Sequence, residues 1–127
     1  MLLTLTIAQM LVRITGVLAL ILGLLFWAGD ALTLIPVHML LGVLLVLALW
    51  LLAATASQMG VPIGMTAGAA VVGLIALILG VTQDGLLPGS AHWVIQVLHL
   101  LLGLAAVGSG EMIGARLRRK RLAAPAS

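Results

Sequence analysis

The sequence predicts an all-α membrane protein, a four-helix transmembrane bundle made of two tandem parallel hairpin repeats. Composition is the first reason. Of the 127 residues 64% are apolar and only 7% are charged, whereas a soluble domain carries about 25% charged residues to cover its surface. The second reason is length: four apolar stretches each reach the roughly 20 residues that a helix needs to cross a hydrocarbon core of about 30 Å. The third is that two short patterns recur, in the same order, in both halves of the chain.

The four spans fall at about residues 9–28, 31–55, 63–82 and 91–110 or a little beyond. No basic region precedes the first, and its apolar run is longer than a signal-peptide core, so the first helix is expected to be retained. Gly29-Asp30 closes the first turn, with Asp30 a candidate N-cap for the second helix. Residues 57–62 separate the second span from the third. The QDGLLPGS segment at 83–90 leads to Ser90, a candidate N-cap for the fourth. Pro36 either starts the second helix or kinks it early. Residues 1–115 form the transmembrane domain, with repeats over about 9–57 and 63–114, and residues 116–127 a basic tail.

Five of the six basic residues, Arg116, Arg118, Arg119, Lys120 and Arg121, follow the last span. Basic residues beside a span stay in the cytoplasm, so the expected location is the cell (inner) membrane, multi-pass, with both termini cytoplasmic. Trp27 and Trp93 then lie near the outer boundary, where indoles prefer to sit. With so few basic residues elsewhere there is no groove for nucleic acid. The absence of cysteine excludes disulfides, thiolate metal sites and iron–sulfur clusters. No nucleophile–base set, carboxylate pair or phosphate loop is present, which leaves a hydrolase or kinase unsupported.

The repeat carries the functional argument. GVLALILG from Gly16 to Gly23 matches GLIALILG from Gly73 to Gly80, an offset of 57. HMLLG from His38 to Gly42 matches HLLLG from His99 to Gly103, an offset of 61. Both hairpins start on one side, so the pseudo-twofold axis runs along the membrane normal. Counted from Asp30 and Ser90, both imidazoles lie about 12 Å below the outer helix starts. Two histidines at one depth, facing across an axis, can bind one metal from opposite sides. The glycines of each helix, seven residues apart, share one face and bracket the histidines in depth. They leave room for a flat macrocycle, and Gly42 and Gly103 relieve crowding beneath it.

These residues resemble the four-helix haem-binding unit of transmembrane b-type cytochromes, including each half of haem A synthase. The resemblance covers about residues 11–110. It implies one haem b, with His38 and His99 as axial ligands on the second and fourth helices and Gly16, Gly23, Gly73 and Gly80 at the cofactor on the first and third. Where respiratory cytochrome b has a second histidine about four turns down each ligand helix, this chain has Leu51 or Leu52 and Met112, which argues for one haem. Expected partners are the lipid bilayer, a quinone, and other membrane subunits or further copies of the chain. The chain would then serve as the cytochrome b-type subunit of an oxidoreductase.

Other residues carry weaker expectations. His92, seven residues before His99, is placed either to meet a haem propionate or quinone or simply at the boundary. Gln96, one turn above His99, is placed to bond its neighbour's ring or to face a polar ligand. Arg13 and Glu111 reach similar depths, so they are placed to pair. Gly60, Gly64 and Gly68, and again Gly110 and Gly114, have the GxxxG spacing that lets helices approach, within the bundle or toward another subunit. Two functions compete with electron transfer: a cofactor-free accessory subunit of a larger membrane complex, and a small transporter or holin-like protein.

Overall fold

A computed structural model describes residues 1–126 as four helices. They are α1 (Leu2–Trp27), α2 (Ile35–Gln58), α3 (Ile63–Thr82) and α4 (His92–Ala123). Each is long and apolar enough to cross a membrane. In hydrocarbon every backbone N–H and C=O must be paired within the segment, and a continuous helix does this. Side chains such as Leu3, Ile7, Leu40, Leu47, Val71, Ile78 and Leu101 point outward, an arrangement that suits lipid contact. Successive helices pack side by side, α4 closes against α1, and α2 and α4 also touch across the middle.

Two of the turns owe their shape to glycine. After α1, Gly29 adopts φ +84°, donating to the Phe26 carbonyl at 3.0 Å while Asp30 N–H donates to Leu25 at 2.8 Å. After α2, Gly60 adopts φ +79°, with Gly60 N–H on Ser57 and Val61 N–H on Ala56, both at 3.0 Å. Both are Schellman closures, which require the left-handed conformation that glycine takes without strain. Lys120 reinforces the second, its Nζ donating to the carbonyl of Gly60, at the negative end of the α2 dipole.

The expected N-caps are corrected. Asp30 does not cap α2: its backbone N–H closes α1, and a 3-10 turn over Leu32–Leu34 intervenes. With Pro36 in the first turn, α2 starts at Ile35 without a side-chain cap. Pro36 therefore marks the start of the helix, as proline in the first turn has no N–H to lose from the ladder. Ser90 does not cap α4 either; Ala91 holds that position, and no side chain bonds to the first turn. Two helices outrun their expected ends. α1 begins at Leu2 rather than near residue 9, and α4 continues through the basic run to Ala123.

The core lies toward the basic end of the bundle. Val12, Leu49, Leu52, Ile113 and Leu117 are its largest fully buried side chains. Close approach there depends on small residues. A methyl group added at Gly110 would meet Val12, one at Gly16 would strike Val107, and one at Gly114 would strike Gln9. The α4 GxxxG pair thus serves packing between α1 and α4. Gly64 and Gly68 on α3, in contrast, have nothing within 4 Å of the space a side chain would occupy.

Candidate functional site

His38 stands one turn into α2, about 5 Å along from its first residue, and His99 two turns into α4. Both are shallower than the 12 Å expected from Asp30 and Ser90, because the helices start later than those residues. The two rings nevertheless meet, with centroids 6.1 Å apart and planes at 66°. Phe26, near the end of α1, adds an edge contact to His38 at 5.4 Å.

Each imidazole leans on a glycine of the preceding helix. A Cβ at Gly23 would lie 3.5 Å from Cε1 of His38, in ordinary contact. One at Gly80 would come within 2.8 Å of Cε1 of His99, too close to be accommodated without movement. One turn earlier on α1 and α3, the backbone carbonyls of Ala19 and Ala76 lie beside the same two rings. Despite this, Nδ1 of both histidines is buried without a hydrogen-bond partner. One turn below each histidine on its own helix, Gly42 and Gly103 are half-buried, with open space where a side chain would be.

The four glycines of the sequence motif therefore divide. Gly23 and Gly80 are at the histidines. Gly16 and Gly73 are two turns away, and their space is filled, by Val107 for Gly16 and by Val46, Leu49 and Trp50 for Gly73. Trp50 is fixed there by donating its Nε1–H to the Ala70 carbonyl at 3.1 Å. His92 begins α4 above His99, and its Nδ1 is 3.0 Å from the Leu86 carbonyl in the connecting loop. No cluster of three or more His, Cys, Asp or Glu suited to a metal ion exists among the described residues.

At the other end, Arg13 and Glu111 form the ion pair that their matched depths suggested. Arg13 Nε–H donates to Oε1 at 2.6 Å and its terminal nitrogen to Oε2 at 2.9 Å. This two-pronged geometry is the strong form of the contact, and it ties α1 to α4. Gln9 sits beside Glu111 in the same polar group.

Sequence reasoning missed Phe26, Ala19, Ala76 and Gln9. Phe26 is the only phenylalanine and lies one turn beyond Gly23 on the same face, a position that would have flagged it. Gln9 had only its spacing of four from Arg13 as a signal. No protein-family model, curated protein or solved structure matches this chain.

Proposed function

We propose that the chain is a membrane electron-transfer protein that holds one b-type haem through His38 and His99 and exchanges electrons with a quinone or a partner redox subunit. The observation that carries this is the meeting of two imidazoles from different helices, each with a buried, unpaired Nδ1. Each imidazole has only the carbonyl of Ala19 or Ala76 at hand, outside ordinary hydrogen-bond geometry for Nδ1, and ionisable residues inside a span are mostly functional. Two such groups in contact are a costly arrangement for a purely structural purpose.

The ligand number points to a macrocycle. A bare zinc ion takes about four protein ligands, and only two are present. Two imidazoles suffice for a metal that brings its other donors with it, as haem iron does. The two ring centres are 6.1 Å apart, a separation from which His38 and His99 would both reach a metal held between α2 and α4. Open space beside Gly42 and Gly103 supports the fit. The filled space at Gly16 and Gly73 limits it to the outer end.

Haem, when bound, supplies reversible one-electron chemistry. The chain's own part is to hold it and set its potential through two imidazoles in a poorly hydrated pocket. Phe26 restrains His38, while Gly23 and Gly80 give both rings room to stand. His92, with Nδ1 committed to Leu86, has only Nε2 left for a polar edge of a cofactor. The pairing of His38 with Gly23 and Ala19, and of His99 with Gly80 and Ala76, supports a duplicated hairpin with its axis along the membrane normal. The basic run supports a cytoplasmic position for its own end, with the histidines toward the outer face. A cofactor near one face does not cross the membrane alone, so the chain would act as the cytochrome b-type subunit of a larger oxidoreductase.

The test is optical. Protein purified from haem-replete cells is expected to carry about one haem per chain, with a Soret band that shifts on dithionite reduction. His38→Ala and His99→Ala are each expected to lose most of it. A colourless preparation contradicts the proposal. A second reading, a cofactor-free accessory subunit, is favoured by the open space at Gly64 and Gly68. It predicts colourless protein that is unstable when purified alone.

A further inference from the structure

A groove between α3 and α4 at the basic end is lined by Met65, Glu111, Met112, Ala115, Arg116, Arg118 and Arg119, with a volume of about 500 Å³. We propose that this groove binds the phosphate group of an anionic phospholipid, its three guanidinium groups on the headgroup and its methionines against the first part of an acyl chain.

Charge is the first argument. Glu111 is already neutralised by the two bonds from Arg13. Among the described residues no carboxylate lies within 4.0 Å of Arg116, Arg118 or Arg119; Glu111, on the same groove, acts on Arg118 only from a longer distance, so the groove keeps a net positive charge. Guanidinium forks match phosphate oxygens two at a time. Lys120 is not available in the same way, since it is bonded to the Gly60 carbonyl. α3 begins beside the groove with no side chain capping its first turn, which adds the positive end of its dipole.

Place is the second argument, and it selects a lipid over a soluble anion. Between His92 and Glu111, α4 carries no charge, and those intervening residues span about 27 Å, close to the hydrocarbon thickness. Glu111 therefore stands at the boundary where lipid phosphates lie. Toward the membrane from the arginines the wall is apolar: Met112, next to Glu111 at the boundary, is exposed, and Gly68, one turn into the membrane from Met65 on the same side of α3, has open space beside it. A free phosphate would use the arginines and leave this apolar track bare. Basic pockets between transmembrane helices are known to hold anionic headgroups.

Full-length protein in neutral detergent would be titrated with phosphatidylglycerol, phosphatidylcholine or sodium phosphate, and bound species counted by native mass spectrometry. We expect one tightly held phosphatidylglycerol and no comparable phosphatidylcholine. Arg116→Gln, Arg118→Gln and Arg119→Gln are each expected to weaken phosphatidylglycerol roughly fivefold, while Arg121→Gln, outside the groove, changes it less than about twofold. Equal losses for all four, or equal binding of the two lipids, would overturn the site in favour of a diffuse field. Displacement of the lipid by millimolar phosphate, with phosphate bound alone, would overturn it in favour of a soluble anion. If a variant at Arg116 or Arg118 does not fold, Arg119→Gln decides, since an unchanged affinity contradicts the site.

Discussion

The two ends of the bundle differ in how they are filled. At the basic end Val12, Leu49, Leu52, Ile113 and Leu117 are fully buried, glycines admit neighbouring side chains, and the polar groups of Arg13, Glu111 and Lys120 are all bonded. At the histidine end only Ala19, Ala76 and Ile95 are buried among the apolar residues, and two imidazole nitrogens have no partner. Packing density thus falls along one molecule, while each end keeps buried polar atoms without partners, Gln9 Nε2 at the basic end and the two imidazole nitrogens at the other. The basic end holds the helices in register, and that fixed frame brings His38 and His99 to a common point without a dense core around them.

The largest effect that separates the ends is a cavity test. Leu49→Ala and Ile113→Ala are expected to cost about 2–5 kcal/mol each, measured by reversible unfolding in mixed micelles. Leu41→Ala at the histidine end is expected to cost less than about 1 kcal/mol in haem-free protein, as its surroundings are already loosely filled. Equal losses at both ends would remove the distinction. Next in size is overfilling. Gly16→Leu must displace Val107 and is expected to destabilise by about 1–3 kcal/mol, whereas Gly42→Ala enters open space and should be tolerated in haem-free protein. The same Gly42→Ala change is expected to lower haem occupancy, which sharpens the contrast between packing and pocket glycines.

The ion pair gives a sign test of similar or smaller size. It is partly exposed, at 44% and 39%, so removing one partner by Arg13→Met or Glu111→Gln is expected to lower stability measurably but by less than the loss of a buried pair. The double change should recover part of that loss, because no unpaired charge remains. A double mutant as unstable as the sum of the singles would mean that the two side chains do not act as a pair. The smallest expected effect is at His92. Losing its bond to Leu86 in His92→Ala should cost about 0.5–1.5 kcal/mol and show as faster hydrogen exchange in the loop before α4.

Much of the frame is legible in the chain itself, for a physical reason. A span needs about 20 apolar residues, and Gly29 and Gly60 are where the backbone must turn left-handed, so span number and turn positions follow from composition. Arg13 with Glu111 is legible because equal depth is simple arithmetic on a helix. The helix starts are not, because a 3-10 turn and Pro36 take the place expected of Asp30, and α4 starts after Ala91 rather than from Ser90. The early start at Leu2 is hidden too, since its Leu- and Thr-rich turns carry no boundary signal. The division of the glycines is the clearest loss. Gly16, Gly23, Gly73 and Gly80 look equivalent on the helix repeat, and only the neighbours, Val107 or a histidine ring, tell packing from pocket. The loosely filled outer half is invisible for the same reason, because uniform Leu and Ala do not record which faces find a partner.

The most direct measurement of the central claim is the electron paramagnetic resonance spectrum of the oxidised protein, purified from haem-replete cells. Two axial imidazoles predict a low-spin ferric signal that disappears or turns high-spin in both His38→Ala and His99→Ala. A silent wild-type sample, or a high-spin signal unchanged by either substitution, would contradict haem ligation by this pair.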